Sequence, residues 1–91
     1  MALLIRVGSP SKNVKPQNGE KFTLEELQGF VDGFIERMDL QNGKAMYFNE
    51  DGKALQLPYN GTATTILRQR GCLVGDYIAG NAVVLDYSEE D

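Results

Sequence analysis

Histidine and tryptophan are absent from the 91 residues, and cysteine occurs only once, as Cys72. Histidine is the commonest general base and metal ligand, so its absence removes the usual means of activating a nucleophile. Cys72 has no partner for an intramolecular disulfide, which favours a reducing cytoplasm, and its neighbours Leu73 and Val74 predict a buried, structural thiol. We therefore expect a cytoplasmic protein that is not an enzyme and holds no metal or cofactor.

Long hydrophobic runs and an excess of basic charge are also missing. The apolar start Met1–Ile5 gives way to Arg6 and is too short for a signal peptide or a transmembrane helix. The net charge is −4, from 9 basic and 13 acidic residues, which argues against binding to duplex DNA or to a membrane. Part of the acidic excess lies at the end of the chain, where we expect residues 87–91 to form a solvated tail.

The length predicts a single compact domain over residues 1–91, with a polar loop over about residues 8–20. Its clearest pattern is a β-hairpin between Phe34 and Asn49, where apolar and polar residues alternate on both sides of a short turn. The turn contains Asn42-Gly43, and Asn-Gly is the strongest short-range hairpin signal because both residues tolerate positive φ.

Two helices are predicted from the residues at their ends. Thr23 and Glu26 have the spacing of a capping box, and Gly33 is a suitable stop for the helix that they begin. Asn60 is a suitable N-cap for a second helix that runs to about Arg70.

Four further segments have the composition of strands, namely Ala2–Val7, Val14–Pro16, Lys53–Leu57 and Ala82–Leu85. The first and last are almost wholly apolar, which is typical of strands inside a sheet. The complete pattern predicts an α+β fold: a small mixed or antiparallel sheet of four to five strands, with one or two short helices packed on one face.

The densest group of polar side chains lies at the predicted junction between Leu57 and Thr65. A helix N-terminus offers unpaired N–H groups there, and hydroxyl, amide and guanidinium groups nearby supply directional hydrogen bonds. The candidate residues for binding a ligand or partner are Tyr59, Asn60, Thr62, Thr64 and Arg68. The alternative interpretation is structural, with Pro58 ending a strand and Asn60 capping the helix.

Three runs occur in a recognisable order: "EELQGFVDGFIE", "NEDGKALQLPYNGTATTIL" and "GDYIAGNAVVL". This order resembles the family known as domain of unknown function 3846, over roughly Glu25 to Leu85. The resemblance implies a protein carried by phages, plasmids and other mobile elements and made in a bacterial cytoplasm. It implies no activity and no catalytic residues. The motifs that carry it are Leu27–Glu36, Asn49–Lys53, Leu57–Thr64 and Gly75–Val84.

Three functional classes follow. The leading hypothesis is a non-enzymatic protein of a mobile element that binds a protein of the bacterial host and so counters a host defence system. The second is a binder of a small ligand, such as a sponge for a nucleotide signal, which uses the Tyr59–Thr65 junction and a homo-oligomer interface. It predicts that Arg6, Arg68 or Arg70 turns inward. The third is an enzyme of a type that the sequence does not identify.

Overall fold

The structure is a computed structural model that describes residues 2–71 and 76–91. Within these ranges it contains two helices, α1 (Leu24–Val31) and α2 (Gly61–Gln69), and a final 3₁₀ turn at Tyr87–Glu89. Its strands are β1 (Ala2–Ile5), β2 (Lys12–Val14), β3 (Ile35–Asp39), β4 (Lys44–Asn49) and β5 (Ala82–Asp86). The predicted α+β class with a small antiparallel sheet is confirmed. The prediction of a buried thiol at Cys72 lies outside the described residues.

The five strands form one sheet in the order β2-β1-β5-β4-β3, and all neighbours are antiparallel. Strand β5 is central: Val84 lies opposite Leu3 of β1 on one side and opposite Met46 of β4 on the other. A strand with neighbours on both sides and cover on both faces buries nearly every side chain. The apolar sequence of β5 follows from this position.

The two helices lie on opposite faces of the sheet, whereas the sequence analysis placed them on one face. Helix α2 packs Ala63 and Leu67 into a buried cluster with Met46 and Phe48 of β4. Helix α1 packs Leu27 on the other face, in a separate cluster. The reason is visible in β4, which buries side chains of both parities, so that each face of the sheet requires its own cover. The second cluster contains Ala2, Leu4, Phe22, Leu27, Ala45, Tyr47, Val83 and Leu85.

The predicted hairpin is formed by β3 and β4, with Met38 opposite Met46. The Leu40 amide donates to the Lys44 carbonyl at 3.0 Å and closes the turn. Positive φ occurs at Gln41 (65°) and Gly43 (82°), and not at Asn42. The loop is therefore longer than a two-residue Asn-Gly turn, and glycine supplies one of its two left-handed positions.

The predicted helix starts are confirmed. The Thr23 hydroxyl accepts from the Glu26 amide at 3.2 Å, and the Glu26 carboxylate accepts from the Thr23 amide at 3.0 Å. Helix α1 ends at Val31, and Asp32, with a φ of 60°, caps its last turn, so the cap lies one residue before the predicted Gly33. The Asn60 side chain accepts from the Ala63 amide at 3.0 Å and caps α2.

The predicted strand Lys53–Leu57 is wrong. Residues 51–56 form consecutive turns, with the Leu55 amide bonded to the Asp51 carbonyl and a φ of 57° at Gln56. Leu55 is 59% exposed, so the alternation of Leu55 and Leu57 does not mark a buried sheet face. The short edge strand is also displaced, from Val14–Pro16 to Lys12–Val14.

The acidic end of the chain packs against the domain, which corrects the expectation of a solvated tail. Glu89 is only 8% exposed, and its carboxylate accepts from the Asp86 amide at 3.0 Å. Its carbonyl accepts from the Phe22 amide at 2.8 Å. Glu90 is bonded to strands β3 and β4, while Asp91 is exposed. Hydrogen bonds to both main chain and side chains thus hold this segment in place.

Candidate functional site

An open cleft of about 350 Å³ lies beside β3, on the sheet face that α2 covers. Its floor is apolar and comprises Met38, Phe48, Ile78 and Ala79. Its rim carries Glu36, Glu50, Asp51, Lys53, Asp76 and Tyr77. We call these ten residues the acidic cleft. Met38 and Phe48 lie on the sheet face that α2 covers, but near the edge of the sheet. The segment containing Ile78 and Ala79, and not the helix, lies beside them there, which leaves room for the cleft.

One wall of the cleft is the turn that follows β4, and Asn49 fixes it in position. The Asn49 side chain, 4% exposed, donates to the Val31 carbonyl at 3.1 Å and accepts from the Asp51 amide at 2.8 Å. Three positions after Asn49, Gly52 lies so close to the segment before β5 that a Cβ there would stand 2.5 Å from the Ala79 carbonyl oxygen. This turn and the floor at Ala79 therefore pack main chain against main chain, which only glycine at position 52 permits.

The charge of the rim is strongly negative. Four carboxylates face one ammonium group, that of Lys53, which forms an ion pair with Asp76. The hydrogen bond from Lys53 holds the pKa of Asp76 below its usual range, and the Tyr77 amide adds to the effect. No hydrogen bond or ion pair joins the carboxylates of Glu36, Glu50 and Asp51 to any other side chain in residues 2–71 and 76–91. The rim therefore has a net charge of −3, from four carboxylates and one ammonium group, which a partner or solvent must balance.

A pair of exposed tyrosines, Tyr77 of the rim and Tyr59 beside it, extends the surface of the cleft. The Tyr59 and Tyr77 ring centroids are 5.7 Å apart, and the two side chains are 55% and 40% exposed. The Lys53 ammonium lies 5.2 Å from the Tyr77 centroid. Tyr59 is held by main-chain pairing with Ala79, so its ring stands on a fixed backbone. Tyrosines that are both exposed and positioned are typical of contact surfaces.

Two of the five predicted site residues have structural roles. The buried Asn60 amide donates to the carbonyls of Ile5 at 3.1 Å and Gly80 at 2.9 Å, while its oxygen caps α2. Thr64 is fully buried, and its hydroxyl donates to the Asn60 carbonyl at 2.7 Å and accepts from the Ile78 amide at 2.9 Å. These groups hold α2, β1 and the segment before β5 together, and both side chains are buried, so neither is accessible to a ligand.

The other three predicted residues are exposed. Tyr59 belongs to the tyrosine pair. The Arg68 guanidinium donates to the Asp76 carbonyl at 2.9 Å and so braces the cleft wall from behind. Thr62 lies on the first turn of α2, away from the residues that line the cleft. The structure brings Tyr59 and Arg68 to the flank of the cleft but does not gather the five residues into one site.

The nucleotide-binding hypothesis expected basic side chains to turn toward the helix N-terminus. Arg6 instead donates two hydrogen bonds to the Pro10 carbonyl, at 3.1 and 2.9 Å, and Arg68 is bound to Asp76. Both guanidinium groups are therefore bound to main-chain carbonyls of the domain.

Sequence reasoning missed most of the cleft. Glu36, Met38 and Phe48 were assigned to the hairpin without a functional role, and Lys53 was placed in a strand that does not form. Glu36 and Met38 alternate along β3, and Phe48 lies opposite Glu36 on β4, so these three residues could have been assigned to one face of the sheet. Nothing in the sequence could show that Asp76 and Tyr77 close the cleft, because that contact links segments distant along the chain.

The part of the chain that the structure describes has neither a metal-binding cluster nor a membrane-spanning helix. No group of three or more acidic, cysteine or histidine side chains is arranged to hold a metal ion within residues 2–71 and 76–91. Neither helix in this part of the chain has the length and apolar character needed to cross a membrane.

Comparison with known proteins gives one match. The family model described as "Domain of unknown function (DUF3846)" matches residues 1–91, which extends the resemblance seen over Glu25 to Leu85 to the whole chain. Neither the curated proteins nor the solved structures gave a match. The chain therefore belongs to the family described as domain of unknown function DUF3846.

Proposed function

We propose that this protein acts by binding a protein partner through the acidic cleft and the adjoining tyrosine pair. The observation that carries the proposal is the combination of an apolar floor, a rim with three unbalanced carboxylates, and two exposed aromatic rings on one continuous surface. Buried apolar contacts supply affinity at a protein interface, and charged rims supply orientation and specificity. Tyrosine adds large contact area at small cost in side-chain entropy.

We further propose that the partner is a protein of a bacterial host, bound on behalf of a phage or other mobile element. This part rests on the family resemblance alone and not on the geometry of the cleft. That the partner belongs to a host defence system is a prediction of the same origin. That the protein acts without catalysis is predicted from the absence of histidine and the single cysteine.

The test compares partner capture by the wild-type protein and by two matched variants. Tyr59→Ser with Tyr77→Ser removes the aromatic pair, and Leu24→Ser removes an exposed apolar side chain, 53% accessible, from helix α1 on the other face. We expect a captured host protein to be lost with the tyrosine variant, to be retained by Leu24→Ser, and to bind again when both proteins are purified. Equal retention by both variants would contradict the proposal.

Native mass spectrometry of protein purified from bacterial cytoplasm tests the small-ligand alternative in the same preparation. An added mass of nucleotide size that disappears on denaturation would favour that alternative. A mass equal to the chain, or to a whole multiple of it, would leave protein binding as the better hypothesis.

A further inference from the structure

Strand β3 is the last strand of the sheet, and half of its main-chain groups point away from the domain. The Glu50 amide donates to the Phe34 carbonyl at 2.9 Å, and the Leu40 amide donates to the Lys44 carbonyl at 3.0 Å. In an antiparallel pair, hydrogen-bonded residues alternate with residues whose N–H and C=O face outward. The main-chain groups of the even-numbered residues Phe34 and Leu40 therefore point toward β4. The N–H and C=O groups of the odd-numbered residues Ile35 and Arg37 point away from the sheet.

These outward groups are unpaired within the described chain. No hydrogen bond joins the main chain of Ile35 or Arg37 to another element in residues 2–71 and 76–91. The side chains of the acidic end contact Arg37 through its guanidinium and not through its amide or carbonyl. The outer edge of β3 therefore offers a hydrogen-bonding template for an additional strand.

The even-numbered residues of the same strand line the acidic cleft with their side chains. Glu36 and Met38 stand on the cleft face, while the Arg37 side chain lies on the opposite face, paired with Glu90. Side chains directly opposite one another on adjacent strands are about 5 Å apart. In a strand added to β3, every second side chain would therefore lie on the cleft face, beside Glu36 and Met38. The intervening side chains would lie on the opposite face, beside Arg37.

We propose that the occupant of the acidic cleft is an extended segment of the protein partner, with basic side chains at alternate positions, which adds to the free edge of β3. The inference rests on the proposed function and names the partner's chemistry. Lys and Arg lay their aliphatic stems on apolar surface and keep their charge in water. The stems contact Met38 and Phe48, and the cations meet the carboxylates of Glu36, Glu50 and Asp51. On the opposite face Arg37 and Glu90 balance each other's charge. The excess negative charge therefore lies only on the cleft side of β3, which determines which side of the segment enters the cleft.

The probe is a capped heptapeptide in which arginine and threonine alternate. It is titrated into the full chain by calorimetry, and amide hydrogen exchange is followed by NMR. We expect saturable binding and slower exchange at the Ile35 and Arg37 amides. The same peptide with alternate amides N-methylated keeps its charge but loses the edge hydrogen bonds, and we expect it to bind about tenfold more weakly or worse. A peptide in which glutamate replaces arginine should not bind.

Protein variants separate the charge contribution from the fold. Replacement of Glu36, Glu50 and Asp51 by Gln, Gln and Asn should weaken peptide binding about tenfold, because each exposed ion pair contributes a few-fold. The matched control removes the same charge elsewhere, by Glu20→Gln, Glu25→Gln and Asp91→Asn, and should change binding less than about twofold.

Two results would overturn the inference. One is the absence of saturable binding by the arginine peptide. The other is equal binding of the N-methylated peptide, with unchanged exchange at Ile35 and Arg37, which would show charge attraction without strand addition. In either case, capture of a host protein that still depends on Tyr59 and Tyr77 would support the proposed protein-binding function. The experiments therefore distinguish a failure of the strand-addition inference from a failure of the proposed function.

Discussion

The Tyr47 hydroxyl donates a 2.6 Å hydrogen bond to Glu90 Oε1. The same carboxylate receives two hydrogen bonds from the Arg37 guanidinium, so Glu90 joins the final turn to both β3 and β4. The hydrogen bonds from Arg37 hold the pKa of Glu90 below its usual range, with Tyr47 adding to the effect. Burial, followed by the hydrogen bond to Glu90, raises the pKa of Tyr47 to about 12.

Glu90→Gln should destabilise the domain at neutral pH by about 1 kcal/mol, the lower range for a charge-assisted bond, because Arg37 remains partly in water. A carboxylate whose folded pKa is lowered stabilises the fold above its unfolded pKa, about 4.3 for glutamate. That contribution is lost as pH falls through the folded pKa. The wild type and the variant should therefore become equally stable in acid, as measured by urea unfolding over a pH series. A stability difference that persists unchanged in acid would contradict the assignment.

Tyr47→Phe should make the protein less sensitive to alkali. The folded pKa of Tyr47, about 12, exceeds the unfolded value of about 10, so its neutral hydroxyl stabilises the fold below the unfolded pKa. This contribution disappears as pH rises through the folded pKa. Unfolding free energies measured from neutral pH upward should fall more steeply for wild type than for the variant. Ultraviolet absorbance should show that the variant lacks a phenol that ionises near pH 12, and parallel pH profiles would disprove the role.

Asn60→Ala should be among the most damaging single substitutions. It removes the cap of α2 and leaves the Ile5 and Gly80 carbonyls without their donor in a buried environment. We expect a loss of about 2–3 kcal/mol in the free energy of unfolding. Thr62→Ala, two residues along at an exposed position, is the control and should change stability by less than about 0.5 kcal/mol. Similar values for the two variants in urea unfolding would show that the cap is not a main source of stability.

Two glycines should respond to alanine in opposite directions. At Gly52 a Cβ would stand 2.5 Å from the Ala79 carbonyl oxygen, so Gly52→Ala should destabilise by about 1–3 kcal/mol and open the cleft wall. At Gly29, inside α1, a Cβ would meet nothing within 4 Å. Gly29→Ala should therefore stabilise by about 0.5–1 kcal/mol through the unfolded chain. Thermal unfolding of both variants measures the contrast, and a shift in the same direction would contradict it.

Local signals in the sequence predicted the elements more accurately than their arrangement. The capping box at Thr23 and the cap at Asn60 depend on residues within one turn, and both are confirmed. The strand predicted at Lys53–Leu57 failed because two leucines with matching parity also occur in a turn held by its own main-chain bonds. The placement of helices on opposite faces depends on strand order, which no short segment encodes.

The candidate site shows the same division. Tyr59 was found because polar residues gather near a helix start, and Arg68 because a nucleotide-like ligand requires a basic side chain. Asn60 and Thr64 in the same group serve the fold. The cleft itself arises where β3, the turn after β4 and the segment before β5 meet. Contacts between distant segments leave no local pattern, so the sequence could indicate single residues but not the surface that they form.

The position of β5 determines the order in which the domain can fold. Leu4 of β1 pairs with Val83, and Tyr47 of β4 pairs with the same residue from the other side. The two hairpins β1–β2 and β3–β4 are therefore separate half-sheets until β5, the last of the five strands along the chain, enters between them. Contacts of such long range make folding slow and leave strand edges open in the nascent chain. The sheet can therefore be completed only after both hairpins and β5 have been synthesised, as far as residue 86.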